Sequence, residues 1–373
     1  MSFQNCKISG VGVSSVQYHA MKQEVKRGDP AFVMSPSSLK KFSELPCRWV
    51  KDSDEDQSDA QFWGNLIDCL VLTPKAFGER YAIVPETYTS IGMQCPVCKT
   101  VTDSQKCQKC KVERVRVEVQ KPWRAGSEFT DGWVEERKKQ GFEVLRNETL
   151  TSAKTAIQSL TEDDQIRGWI EACETQVLVT GEWLDEGTGL TIPVSALLDF
   201  VPRSDSEFAS CLGDFKTARS VHPRKFERQA FDFGYHIQAA FDLDIFNAAA
   251  RAENPNCRDR DTWCFVAQES DAPYTSNLLL FGQDGNQGLP GFVEMGREAR
   301  WGGYQGILSN YCKCLKSGYW PRYSDMFNSV QGWCVLNPDI GMTIRAERVS
   351  ECRFPEDSAP EVVKTLEMEE VVP

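Results

Sequence analysis

Residues 175 to 251 fix the fold class more tightly than any other part of the chain. TQVLVTGEW (175–183) alternates as a strand does, Asp185-Glu186-Gly187-Thr188-Gly189 supplies a turn, and 190–202 carries a second strand. A third, short strand at 211–217 precedes a long helical stretch, 223–251, with Phe226, Ala230, Phe233, Ile237, Ala240, Phe241 and Ile245 on one side. Two more strands, 262–268 and 276–281, and a helix over 292–317 complete the pattern. Strands interleaved with long amphipathic helices predict an α/β fold with a mixed central sheet flanked by helices.

Upstream, the serine cap at Ser35 and apolar Leu39, Phe42 and Leu45 mark a helix. Residues 51–59 form a charged loop. Phe62, Leu66, Ile67, Leu70 and Val71 then make a second helical face that stops at Thr73-Pro74. Helical patterns recur at 130–139 and 151–173. Residues 1–34 lack a strong period and are expected to be an extension, partly mobile. Residues 326–373 form a C-terminal extension whose acidic, proline-containing end, from 356, is expected to be disordered.

With 373 residues, 41% hydrophobic and 26% charged, the chain can bury a substantial core. No apolar run reaches the roughly 20 residues of a membrane span, and MSFQNCKISG lacks the form of a signal peptide, so a cytoplasmic protein with no membrane partner is expected. Fifteen cysteines, an odd number, then read as reduced thiols, some held by metal. With only His19, His222 and His236 among the histidines and 54 acidic residues, carboxylate and metal chemistry is far better supplied than histidine-base chemistry. The net charge of −12 excludes a uniformly basic surface but leaves room for a local basic track.

Cys95-Pro-Val-Cys98 and Cys107-Gln-Lys-Cys110 form CxxC-x8-CxxC within a cysteine-rich insertion at 90–125. Two such knuckles place four thiolates around one ion, with structural Zn²⁺ the expected occupant and an iron–sulfur cluster the competitor. The surrounding Lys109, Lys111, Arg114, Arg116, Lys121 and Arg124 allow contact with DNA; a staple for the insertion is the simpler role. Cys312 and Cys314 have CxC spacing and read as ordinary thiols.

Asp199, in Leu197-Leu198-Asp199-Phe200, and Asp214-Phe215-Lys216 each close a short apolar run. Residues i and i+2 on a strand face the same way, so Asp214 and Lys216 can share a site. Asp199, Asp214 and the Phe215 carbonyl offer oxygen ligands to Mg²⁺ or Mn²⁺, and Lys216 can orient or help deprotonate a water. Taken alone, Asp-x-Lys triplets also occur as solvent-facing strand ends. Glu182 is a further candidate for placing water or metal. Arg219, Arg224, Lys225 and Arg228, at the start of the long helix, can hold DNA phosphates or form a solvated face.

LLDF, GDFKTA and YHIQAAFD resemble the PD-(D/E)xK nuclease superfamily, and most closely the RecE (exonuclease VIII) type of phages and prophages. SPSSLKKF and WGNLIDCLVLTP resemble its N-terminal helices; WCFVAQESDAPYTSNLLLF and MGREARWGGYQGILSNYCKCLKSGYWP resemble its last strands and final helix. The resemblance spans roughly 35–325. It implies a restriction-endonuclease-like core with a small zinc-binding insertion, with Asp199 and Asp214 as metal ligands, Lys216 as the catalytic lysine and Gln238 at the active site. It also implies a Mg²⁺-dependent DNA exonuclease, 5′ to 3′ on duplex ends, whose 3′ single strands serve a single-strand annealing recombinase in a bacterial or phage-infected cell, and homo-oligomeric rings. Asp68 stands where the family has a histidine; it is either an oxygen ligand or an exposed helix residue. The rival functions are a Cas4- or RecB-like nuclease of other polarity and a non-catalytic zinc-containing DNA-binding module.

Overall fold

The computed structural model describes residues 2–21, 25–51, 57–281 and 291–326, with the short strands Ser329–Val330 and Trp333–Cys334. The tail from 356 and residues 52–56 of the charged loop lie outside the described residues. The chain divides into two units, Met1–Thr73 with Gln158–Pro373, and Pro74–Ile157.

The larger unit is built on one six-stranded sheet. Its strands are β1 (Ser2–Gly10), β2 (Cys173–Asp185), β3 (Leu190–Pro202), β4 (Cys211–Ala218), β5 (Thr262–Glu269) and β6 (Ser276–Leu280), side by side in chain order. Neighbours run antiparallel except β4 and β5, which are parallel. The β2–β3 turn is fixed by Asp185, which accepts from the Thr188 N–H (2.8 Å) and hydroxyl (2.7 Å) before Gly189 turns at φ 74°. This is the asparagine/aspartate turn chemistry expected of DEGTG.

Around the sheet lie α1 (Pro36–Glu44), α2 (Asp59–Leu72), α3 (Pro223–Asp232), α4 (Tyr235–Glu253) and α5 (Tyr304–Ser317). Caps account for the starts of the first two: Ser35 accepts from Ser38 N–H, and Ser58 forms a capping box with Gln61. Phe3, Trp183, Phe241 and Tyr304 join β1, β2, α4 and α5 through rings whose centroids stand 5.1 to 5.7 Å apart.

Three expectations are corrected. Residues 1–34 are not a loose extension, because Ser2–Gly10 pairs along β2 at the sheet edge. Its alternation is hidden by a register shift after Gln4, where Asn5 takes φ 49°. The helix expected over 223–251 is two helices, broken where Gly234 adopts φ 64°. The helix expected over 292–317 is likewise divided, into Phe292–Arg297, a short 3-10 turn at Ala299–Trp301 and α5, with Gly302 at φ 73°.

The smaller unit is wider than the cysteine-rich segment expected at 90–125. It pairs Tyr81–Ile83 with Glu143–Leu145, and Thr87–Gln94 with both Val101–Thr102 and Val115–Pro122. A capping box at Ser127 starts its helix Glu128–Lys139.

One irregularity in the large sheet positions the chemistry. β3 and β4 are paired at a single position, Phe200 with Gly213, and separate beyond it. Gly213 permits that contact: a Cβ there would stand 2.7 Å from Trp169 Cζ2 and 3.4 Å from Phe200 Cβ. Gly213→Ala is therefore expected to cost about 1–3 kcal/mol, read as a lower urea midpoint at unchanged slope. An unchanged midpoint would show that this packing is not tight.

Candidate active site

The fork between β3 and β4 gathers the acidic residues. Asp199 precedes Phe200 and Asp214 follows Gly213, so antiparallel pairing puts the two carboxyl groups at the mouth of the opening. Lys216, two residues on along β4, lies on the face of Asp214 and forms an ion pair with its Oδ2. Because β4 is released from β3 here, the Phe215 N–H is free to donate to Asp199 Oδ2 at 2.9 Å. A strand residue directs its N–H and C=O to the same edge, so the Phe215 carbonyl also faces the fork.

Gln238, on the first turn of α4, donates from Nε2 to Asp214 Oδ1 at 2.7 Å. Asp68 comes from α2, whose Gly64 allows close approach to β4: a Cβ on Gly64 would lie 3.1 Å from Thr217 Oγ1. The charge of Asp68 acts on Asp199. The structure thus brings Asp68, Asp199, Asp214, Phe215, Lys216 and Gln238 to one region.

Sequence reasoning missed three contributors. Gln176 is skipped by the β2–β3 ladder, takes φ 52° and donates from Nε2 to Asp199 Oδ1 at 2.8 Å. Lys40, on α1, donates from Nζ to Gln238 Oε1 at 3.1 Å. Asp242 lies one turn beyond Gln238 on α4 and is only 2% exposed. Its four-residue spacing from Gln238 was the one signal in the sequence that could have found it.

The electrostatics are those of crowded carboxylates. Burial, then the charges of Asp214 and Asp68, push the Asp199 carboxyl well above the usual carboxylate range. Burial, followed by Asp214, does the same to Asp242. Burial works against the charge of Lys216, yet Asp214 and Asp199 together outweigh it and hold its pKa above that of an ordinary lysine. Lys40, by contrast, is lowered to about 8, first by burial and then by Lys216. Both ammonium groups lie 5.3 Å from the centroid of the Tyr235 ring.

Surplus acid beside a backbone carbonyl is a donor set suited to a hard divalent cation. Among the described residues, however, the only metal-type cluster whose ligand atoms all lie within 4.8 Å of one another is made of cysteines. Asp199 is turned to Gln176 and Phe215, and Asp214 to Lys216 and Gln238.

Other candidates fall elsewhere. Glu182 accepts from Asn5 Nδ2 at 2.7 Å and sits six residues along β2 from Gln176, about 20 Å away at strand rise. It is not part of the fork. Arg219, at the end of β4, and Arg224, Lys225 and Arg228, on α3, are exposed. His236 is buried and stacked on Phe231 at 5.0 Å, and burial lowers its pKa to about 4, so it is a neutral packing residue at pH 7. Cys312 and Cys314 are fully buried on α5 and belong to the core.

The cysteine cluster, in the smaller unit, consists of Cys95, Cys98, Cys107 and Cys110, and can hold a metal ion. Its two knuckles repeat one backbone frame. Cys95 N–H donates to Thr100 O (2.9 Å) and Lys99 N–H to Cys95 O (2.9 Å); Cys107 N–H donates to Val112 O (2.9 Å) and Lys111 N–H to Cys107 O (2.8 Å). Lys99 and Lys111 occupy equivalent left-handed positions, φ 59° and 58°. The Thr100 hydroxyl, 3.1 Å from Cys98 Sγ, and its N–H favour the thiolate and lower the Cys98 pKa to about 6.

No known family model matches the sequence, and no curated protein matches it. Among solved structures, the chain is similar to the crystal structure of a "Putative exonuclease" from Eubacterium rectale, at 12% identity, with 90% of this chain and 98% of that chain covered and a TM-score of 0.43. Among the described residues, no helix is long and apolar enough to cross a membrane.

Asp199 and Asp242 give the site a signed pH response. Both carboxyls have folded pKa values above their unfolded ones, so their contribution to stability is full below the unfolded pKa and is lost as pH rises through the folded one. In buffer without divalent cations, melting temperature is therefore expected to fall as pH rises above the ordinary carboxylate range, and Asp242→Asn to flatten part of that fall. Superimposable profiles for wild type and Asp242→Asn would contradict the charge assignment.

Proposed function

We propose that the protein is a divalent-cation-dependent deoxyribonuclease, acting as an exonuclease. The observation that carries this reading is the fork itself: Asp199 and Asp214 meet where β3 and β4 part, with Lys216 paired to Asp214 and Gln238 bonded to it. Phosphodiester hydrolysis needs an oriented water and neutralisation of the charge that builds on the phosphate and the leaving oxygen. Asp68, Asp199, Asp214 and the Phe215 carbonyl are the groups that would hold Mg²⁺ or Mn²⁺. The bound ion would polarise the phosphate and acidify the attacking water.

The protein's own residues have distinct tasks. Gln176 and the Phe215 N–H fix the two oxygens of Asp199, while Gln238 and Lys216 fix those of Asp214. Lys216 presents a cation beside the reacting phosphate. Exposed Arg219, Arg224, Lys225 and Arg228 would grip neighbouring phosphates without reading bases.

The finer assignment follows the resemblance of LLDF, GDFKTA and YHIQAAFD to RecE-type PD-(D/E)xK nucleases: 5′ to 3′ digestion of duplex ends, leaving 3′ single strands for an annealing recombinase, by an enzyme that assembles as a ring. The cysteine knuckles are proposed to bind one structural Zn²⁺, since four sulfurs close its shell and leave no position for substrate. Iron with labile sulfide in the purified protein would overturn that assignment.

Asp214→Ala and Lys216→Ala are expected to reduce Mg²⁺-supported cleavage of linear duplex by on the order of 10²- to 10³-fold or more, with zinc content unchanged. Wild-type rates in either variant would refute the site. End-labelled duplexes blocked at 5′ or 3′ termini check polarity: protection by the 3′ block alone would reverse the proposed direction.

A further inference from the structure

Lys40 lies nearly 200 positions before Gln238 and reaches the site from α1. Its aliphatic stem crosses Gly234, where a Cβ would stand 3.3 Å from Lys40 Cδ and 3.4 Å from Cγ. Its ammonium then passes the Tyr235 ring and ends on Gln238 Oε1, 3.1 Å away. Three residues in the first turn of α4 and its cap therefore shape a channel for one side chain.

The amide of Gln238 is used at both ends. Its oxygen accepts from Lys40 and its nitrogen donates to Asp214 Oδ1. A primary amide has two orientations of opposite polarity, and a cation on one side with a carboxylate on the other admits only the one observed.

We infer that Lys40 is a positioning residue that acts through Gln238, fixing the amide so that its NH₂ group holds Asp214 in place. This inference rests on the nuclease reading above. It adds a residue that does not touch the scissile phosphate and whose loss acts through the placement of Asp214. A misplaced catalytic carboxylate slows the chemical step far more than it weakens substrate binding.

The test combines wild type, Lys40→Met, Lys40→Arg, Gln238→Leu and the double variant Lys40→Met/Gln238→Leu. Methionine keeps the stem over Gly234 and Tyr235 and removes the donor; arginine keeps a donor. For Lys40→Met, kcat on linear duplex is expected to fall on the order of 10²-fold with KM unchanged, and Lys40→Arg to recover part of the loss. In the Gln238→Leu background the Lys40→Met change is expected to add little, because the group it acts through is gone.

A readout independent of cleavage is the side-chain amide NMR signal of Gln238, assigned by its disappearance in Gln238→Leu. It is expected to shift or broaden in Lys40→Met. Wild-type kcat in Lys40→Met, a rise in KM at constant kcat, equal loss in the Met and Arg variants, or additive losses in the double variant would each overturn the inference. An inactive wild type would instead refute the nuclease reading; the amide signal would then decide whether Lys40 orders Gln238, and an unmoved signal would overturn that too.

Discussion

The pairing of Phe200 with Gly213 governs the rest of the large unit. A fully zipped β3–β4 ladder would spend the Phe215 N–H and carbonyl on neighbouring backbone and seal Asp199 against Asp214. One contact followed by separation keeps the strands in register while leaving backbone groups and two carboxyls directed into the same opening. Gly213 allows the contact to be close, and the parallel β4–β5 ladder, continuous from Cys211 to Ala218, keeps β4 straight once it leaves β3. Precision at the site is therefore inherited from the strands rather than from a loop.

Around that opening the charges are deliberately unbalanced. Asp68, Asp199, Asp214 and Asp242 face two ammonium groups, one of which, Lys40, is weakened by burial and then by the other. A protein selected for stability alone would replace such a group with apolar side chains of similar volume. The raised Asp199 and Asp242 carboxyls, crowded at one opening, instead mark this region as a candidate functional site.

Much of this was legible in the sequence. Alternation in 175–202 and the turn chemistry of Asp185 and Gly189 located β2 and β3, and Asp214-Phe215-Lys216 marked β4 with its paired side chains. The fork was not legible, because a sheet's pairing partners are set by residues far apart in sequence. Lys40 and Gln176 were missed for the same reason: each looks like an ordinary polar residue until α1 crosses α4 or a strand position takes a positive φ. The N-terminal strand was hidden by the Asn5 bulge, and the breaks at Gly234 and Gly302 by apolar periodicity that runs on through them.

The two cysteine knuckles bear on how this part of the chain can change over time. Their shape is written in backbone hydrogen bonds and in two left-handed lysines, repeated almost identically at Cys95–Thr100 and Cys107–Val112. The residues between the cysteines, Pro96 and Val97 in one and Gln108 and Lys109 in the other, are exposed, and the hydrogen bonds of that frame are made by backbone rather than by their side chains. They form a small display held on a rigid mount, where side chains can be exchanged with little penalty in folding. Variation among descendants of this sequence should therefore collect at those four positions, while the cysteines and the spacing around them stay still.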